Sequence, residues 1–274
     1  MISKDTIKFL EEKANLLRKK IIETVYNAKS GHIGGSLSSA EILTVLYFNQ
    51  MNLYPSNACA ENRDRFVLSK GHITPAYYGV LALRGFFEEK ELLTFRKNGS
   101  KLQGHPDMNK VNGVDMSSGS LGQGVSSAVG IALAGKLKNA QFRVYALLGD
   151  GEIQEGQVWE AAMFSAHHKL DNLCLIVDNN GIQSDGEVDK INSPYPIDEK
   201  FKAFNFNVIS VEGHDILSLI NAFERAKEVK GKPTVIIAKT VKGKGVSFME
   251  NKASWHGKIP SSQEYLSALK ELGE

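Results

Sequence analysis

Between residues 143 and 238 the chain alternates short, unbroken apolar runs with amphipathic stretches, and this alternation limits the fold more than any other feature. Residues 143–148, 173–177, 206–211 and 234–238 read as strands buried on both faces. Residues 156–168 and 215–229 read as helices, the first with Trp159, Ala162, Met163 and Ala166 on one face. Upstream, the spacing of Ile7, Leu10, Ala14, Leu17 and Ile21 predicts a helix over 3–28. Residues 65–69 make a further strand, and helices follow over 75–83 and 124–138. Ser30 to Gly35 reads as a flexible loop, with a second helix capped by Ser38 or Ser39. Strands of this kind need helices on both faces, so the expected fold is α/β: a doubly wound, mostly parallel sheet in one domain spanning 1–274.

Composition excludes several classes. The chain is 42% hydrophobic with a net charge of +2, which argues against disorder and against a nucleic-acid binder with a basic stripe. Cys59 and Cys174 form no CxxC pair, and no signal-peptide core follows Met1, so a cytoplasmic protein is expected. The uncharged run 116–135 has membrane-spanning length, but its first half is too polar for lipid and reads as a loop leading into a helix. GxxxxGK[ST], GxSxG and spaced zinc ligands are missing from the sequence. Gly122-Gln123-Gly124 nearly matches a dinucleotide fingerprint, but no strand precedes it.

In a doubly wound sheet, ligands sit beyond the carboxyl ends of the strands. Two successive strands here end in Gly149-Asp150-Gly151 and Asn179-Asn180-Gly181, with Asp150 and Asn180 thirty residues apart, about one crossover unit. Each motif alone is an ordinary turn. Together they offer a carboxylate and an amide oxygen to Mg²⁺ or Ca²⁺, which ligand phosphates can complete, while Gly149 and Gly151 let the backbone approach a phosphate. His32, His72, His105 and His256 each adjoin glycine in a loop. Imidazoles there can bond phosphate or sugar hydroxyls and move protons, or simply cap turns. His214 precedes the expected helix cap Asp215 and reads as a residue of the helix start, and nothing is assigned to His167 and His168. The basic segment 240–245 reads as a solvated loop or a phosphate contact.

The run from Gly149-Asp150-Gly151 to Asn180 resembles the thiamine-diphosphate motif. Ser30-Gly31-His32, Asp64 through His72, Gly104-His105-Pro106, Gly119 through Gly124 and Ser254-Trp255-His256-Gly257 resemble transketolase, in that family's order and over nearly the whole chain. The resemblance covers a diphosphate-binding domain only, so it implies the N-terminal subunit of a split transketolase. Its partner would be a C-terminal subunit carrying the pyrimidine-binding and C-terminal domains and the activating glutamate. The two would form a heterodimer that pairs again to α2β2, with the site-bearing edge of the sheet against the partner.

The resemblance further implies thiamine diphosphate together with Mg²⁺, for which Ca²⁺ or Mn²⁺ could substitute. The metal would lie on Asp150, Asn180 and the main-chain carbonyl of Ile182. Gly151, His72, Asn180, Lys242 and His256 would contact the diphosphate or its surroundings, and Gly35 offers only backbone. Gly119, Ser120 and Leu121 would line the aminopyrimidine, and His32, His105 and His256 would face ketose hydroxyls as the catalytic set. Glu155 and Glu160 would lie near the subunit interface. The implied reaction is transfer of a two-carbon ketol unit from a ketose phosphate, such as xylulose 5-phosphate, to an aldose phosphate, with no nucleic acid or membrane involved. The rivals are a part of deoxyxylulose-phosphate synthase, a 2-oxoacid dehydrogenase α-chain, and a non-catalytic cofactor-binding subunit.

Overall fold

The computed structural model describes residues 2–273. Its centre is a five-stranded sheet of β1 (Arg65–Leu68), β2 (Val144–Gly149), β3 (Leu173–Asn179), β4 (Asn207–Glu212) and β5 (Thr234–Lys239), in the order β1-β2-β3-β5-β4 with every pair parallel. Successive side chains of a strand point to opposite faces, so the same strands build two cores. Tyr145, Leu147, Cys174, Ile176 and Ile236 face one; Val144, Ala146, Leu148, Leu175, Val177 and Ile237 face the other.

Helices α1 (Lys4–Ala28), α2 (Ile33–Ser38), α3 (Ala40–Val45) and α4 (Thr74–Arg84) contribute to the first core, with α9 (Ile216–Glu228) and α10 (Ser262–Glu271). Helices α5 (Gln123–Leu137), α6 (Gly156–His167) and α8 (Ile197–Ala203) contribute to the second, and the short α7 (Val188–Asn192) follows β3. From β1 to β3 the chain steps one way across the sheet. It then passes to the far edge at β4 and returns to β5. Right-handed crossovers put helices on opposite faces when the direction reverses, which is why α9 lies opposite α5 and α6. The reversal opens a crevice at the carboxyl ends of β3 and β5.

The individual elements have local causes. Helix α9 buries Ile216, Leu219, Ile220, Phe223 and Ala226 as one stripe, and Asp215 caps it by accepting from the amides of Leu217 and Ser218. Helix α10 opens with a capping box between Ser261 and Glu264, a signal the sequence reading passed over along with α7 and α8. Helix α5 begins at Gly122, whose φ of 80° is left-handed. Gly124 then packs on the backbone of β1's exit: a Cβ there would lie 2.6 Å from Ser69 Cα. Residues 116–122 are irregular and lead into α5, as expected of the long uncharged run. No helix among the described residues is long and apolar enough to cross a membrane.

One expectation is overturned. The segment expected to be a flexible loop becomes helical at Ile33, with Gly34 and Gly35 buried inside α2. A further helix, α3, does start with Ser39 in its N-cap position, as expected, but neither Ser38 nor Ser39 caps a helix through its side chain; both hydroxyls donate to the Gly35 carbonyl and reach inward. Burial, not propensity, stabilises this turn, because a Cβ on Gly34 would meet the Trp255 carbonyl oxygen at 2.7 Å.

Ile176 is fully buried at the centre of the sheet. Ile176→Ala is expected to lower stability by about 2–5 kcal/mol, read as a shift of the urea midpoint at unchanged slope.

Candidate functional site

The register of the sheet brings the two predicted turns together. Gly149 pairs with Asp178 and Asn179 with Lys239, so Asp150, Asn180 and Thr240 emerge side by side at the strand ends. Asp150 and Asn180 border a cavity of about 480 Å³ whose lining also includes His32, His72, Lys242 and His256.

Each predicted donor is held by its neighbours. Asp150 is buried and accepts the Gly151 amide at 2.8 Å and the Gly181 amide at 2.5 Å. Burial, reinforced by the nearby charge of Asp178, raises its carboxyl to about 6. Gly151 therefore spends its amide on Asp150 instead of leaving it for a phosphate. Asn180 donates to Asp178 at 3.1 Å, which fixes which end of its amide is oxygen, and that oxygen accepts the Ile182 amide. The Ile182 carbonyl accepts from Lys242 Nζ at 3.0 Å, and the Gln183 carbonyl from the same ammonium at 3.3 Å.

Lys242 is buried, which rules out the solvated-loop reading of its segment. Burial, then the like charge of Lys70, lowers it to about 8. It also bonds His256 Nδ1 at 2.9 Å, so His256 carries its proton on Nε2. The rings of His32, His72 and His256 meet with centroids 5.0–5.3 Å apart. Burial is the main cause that keeps all three neutral at pH 7. His32 falls to about 4, with Arg96, His105 and Lys242 adding, and His256 falls to about 3, with Lys242 and His32 adding. His72 lies well below its ordinary value, through burial and Lys70. His32 Nδ1 is buried without a hydrogen-bond partner.

The remaining predicted residues are spread around the mouth. Leu121 and exposed His105 line the cavity, and Gly119 packs against the His105 ring, where a Cβ would stand 3.3 Å from Cγ. Ser120 is exposed and outside the lining. Gly35 lines the cavity from α2; Glu155 stands at its rim and Glu160 on the exposed side of α6. His167 ends α6, and both it and His168 are exposed.

Sequence reasoning missed the charged residues beneath the floor. Asp178, fully buried at the end of β3, pairs with Lys70 and accepts from the hydroxyls of Ser38 at 2.6 Å, Ser39 at 3.2 Å and Thr240. Burial alone would raise its carboxyl, but Lys70 and the hydroxyl donors together hold it below the usual range. Glu152, also buried, accepts from Ser69 Oγ and from the amides of Gly122 and Gly149. The available signal was an acid or a lysine within two residues of an apolar run, as in Ile176-Val177-Asp178 and Leu68-Ser69-Lys70.

The donors are oxygens of a carboxylate, an amide and a main-chain carbonyl, a set suited to a hard divalent cation. Buried Lys242, the neutral imidazoles and the orphaned His32 nitrogen suit an anionic ligand bearing hydrogen-bonding groups. The comparisons identify that ligand class. Residues 10–273 match the family described as transketolase, thiamine diphosphate binding domain. The chain belongs to the transketolase family.

Within the family, the chain is 43% identical over 263 residues to a 6-deoxy-6-sulfo-D-fructose transketolase subunit of Clostridium sp. (strain MSTE9), covering 96% of each. It is 40% identical over 268 residues to an apulose-4-phosphate transketolase subunit of Phocaeicola vulgatus, covering 98% of this chain and 95% of that one. The crystal structure of transketolase from Campylobacter jejuni superposes with a TM-score of 0.92 at 37% identity, over 97% of this chain and 43% of that one. The chain thus spans nearly the full length of the subunits and less than half of the longer transketolase. Thiamine diphosphate, with its divalent metal, is the cofactor of this fold.

Asp178→Ala is expected to cost about 3–5 kcal/mol, because it leaves the buried Lys70 ammonium without its charge partner. Adding Lys70→Met should recover part of that loss in urea unfolding; an undiminished deficit in the double variant would contradict the pairing.

Proposed function

We propose that this chain is the cofactor-binding subunit of a two-chain transketolase, folded as one diphosphate-binding domain and completed by a partner that supplies the pyrimidine-binding and C-terminal domains. The observation that carries the reading is the convergence of Asp150, Asn180 and Ile182 at two strand ends, beside buried Lys242 and three neutral histidines. The near end-to-end match to proteins named as transketolase subunits supports it. The assembly proposed is a heterodimer pairing to α2β2.

In this reading Mg²⁺ is held by Asp150, Asn180 and the Ile182 carbonyl, and the diphosphate by His72, Lys242 and His256, with Gly151 beside it as a residue that lets it come close but keeps its amide on Asp150. Gly119, Ser120 and Leu121 border the aminopyrimidine. Bound thiamine diphosphate supplies the carbanion stabilisation that side chains cannot. The chain's own contribution is to orient the donor and handle its protons. His32, His105 and His256 face the hydroxyls of a ketose whose C2–C3 bond breaks, and the two-carbon unit passes to an aldose. His256 offers Nε2–H as a donor, while the free Nδ1 of His32 is a ready acceptor. Lys242 is among the charges that add to burial in holding these imidazoles neutral; the negative charge of a diphosphate offsets that smaller part and leaves the part that burial causes.

The donor proposed is a ketose phosphate such as xylulose 5-phosphate, or a ketose with another distal anion, since the relatives above are named for 6-deoxy-6-sulfo-D-fructose and apulose 4-phosphate. The complex with the partner chain, assayed with these ketoses and with pyruvate, is expected to transfer a ketol unit from a ketose. Turnover of pyruvate alone would favour a different thiamine-diphosphate enzyme, and no turnover a binding subunit. Asp150→Ala is expected to weaken Mg²⁺-dependent cofactor binding at least about tenfold; unchanged affinity by calorimetry would sink the metal assignment.

A further inference from the structure

Away from the cavity floor, a second buried charge cluster surrounds Glu41 of α3. Its Oε1 accepts from the guanidinium of Arg18 in α1, and its Oε2 bonds His214 Nδ1 at 2.9 Å. Burial pushes the Glu41 carboxyl up, but the Arg18 charge and the His214 contact together outweigh it and hold the group below its ordinary value. The opposite ring nitrogen, His214 Nε2, accepts the Val241 amide at 2.8 Å. An amide can only donate, so Nε2 is bare and the ring proton lies on Nδ1, directed at Glu41. Arg18 Nε in turn donates to the Lys244 carbonyl at 3.0 Å.

Both handles therefore grip the segment after β5, one at Val241 and one at Lys244, and both end on the same carboxylate. Between them is Lys242. Its ammonium reaches the floor through three contacts, to Ile182, Gln183 and His256, all at 2.9–3.3 Å. A small drift of the segment would break them together. The reading of His214 as a residue of the helix start holds for its place, just before the cap Asp215 of α9, but its ring has a further contact, to the loop that carries Lys242.

We propose that Glu41, through His214 on one oxygen and Arg18 on the other, is the positioning device for Lys242, setting the depth at which its ammonium meets the diphosphate. The inference rests on the placement of Lys242 against the diphosphate. His214, Glu41 and Arg18 do not line the cavity, so they act only through the loop.

The test is a double-variant titration of thiamine diphosphate with Mg²⁺ into the complex with the partner chain. His214→Leu is expected to weaken binding about tenfold, and Lys242→Ala to weaken it at least as much. In the Lys242→Ala background, His214→Leu should cost nothing more. His214→Gln, which keeps one donor and one acceptor, should restore most of the affinity. Equal loss from His214→Leu with and without Lys242 would mean general support of the fold and would overturn the proposal.

Amide hydrogen exchange on the cofactor-free chain gives an independent reading. His214→Leu should speed exchange at Val241 and leave Thr240, which donates to the Asn179 carbonyl, protected. Unchanged exchange at Val241 overturns the clamp. If the wild-type complex binds no thiamine diphosphate, the cofactor reading falls, and the exchange pattern still decides whether His214 holds the loop.

Discussion

The architecture of the site depends on one desolvated ion pair, Asp178 with Lys70. A carboxylate at the end of a central strand is costly to bury unless every lone pair is matched, and Asp178 is matched from all sides: Ser38 and Ser39 from α2 and its end, Thr240 from the end of β5, Asn180 from its own turn. The anchor thus fixes elements far apart in sequence against one another. Asn180 points its amide nitrogen at this anchor and so turns its oxygen away from it. The short helix that sequence signals described as a loop is seated by the same contacts. Glu152 does the equivalent beneath β2, joining the exits of β1 and β2 to the start of α5.

Much of this was legible beforehand, for a physical reason. A parallel sheet covered on both faces must be written as unbroken apolar runs, and the runs at 144–149, 173–179 and 234–239 are read off with boundaries wrong by no more than two residues. The turn after each strand lies where ligands collect, so Asp150 and Asn180 could be singled out from position and chemistry. The order of the histidine-bearing motifs carried the family resemblance. What escaped was everything whose cause is distant. Asp178 and Ser38 are 140 residues apart, and Glu152 and Ser69 are 83 apart, so no local pattern announces them. Helix α2 escaped because its glycines and serines favour loops, and only burial against Trp255 and Lys242 overrides that preference. His214 was assigned by its neighbour Asp215, a correct cap that drew attention from a ring facing elsewhere.

Electrostatically, the cavity holds charges of both signs before any ligand arrives. Lys70 and Lys242 face the acids Asp150, Asp178 and Glu152, and the imidazoles around them carry no charge at neutral pH. A divalent cation with a diphosphate is itself a nearly compensated pair, so such a floor can receive it without stranding charge of either sign.

The strand order has a consequence for how the protein is made. Strand β5 is the last to be synthesised, yet it lies inside the sheet, between β3 and β4. Until the ribosome has released residues 234–239, β3 presents a raw hydrogen-bonding edge and β4 has no neighbour. Lys242 and His256 emerge later still. A nascent chain therefore passes through a stage with open, apolar strand edges that no cofactor can protect. Thiamine diphosphate can act as a stabilising ligand only on chains that already carry these residues, which couples its supply to their survival and not to their birth.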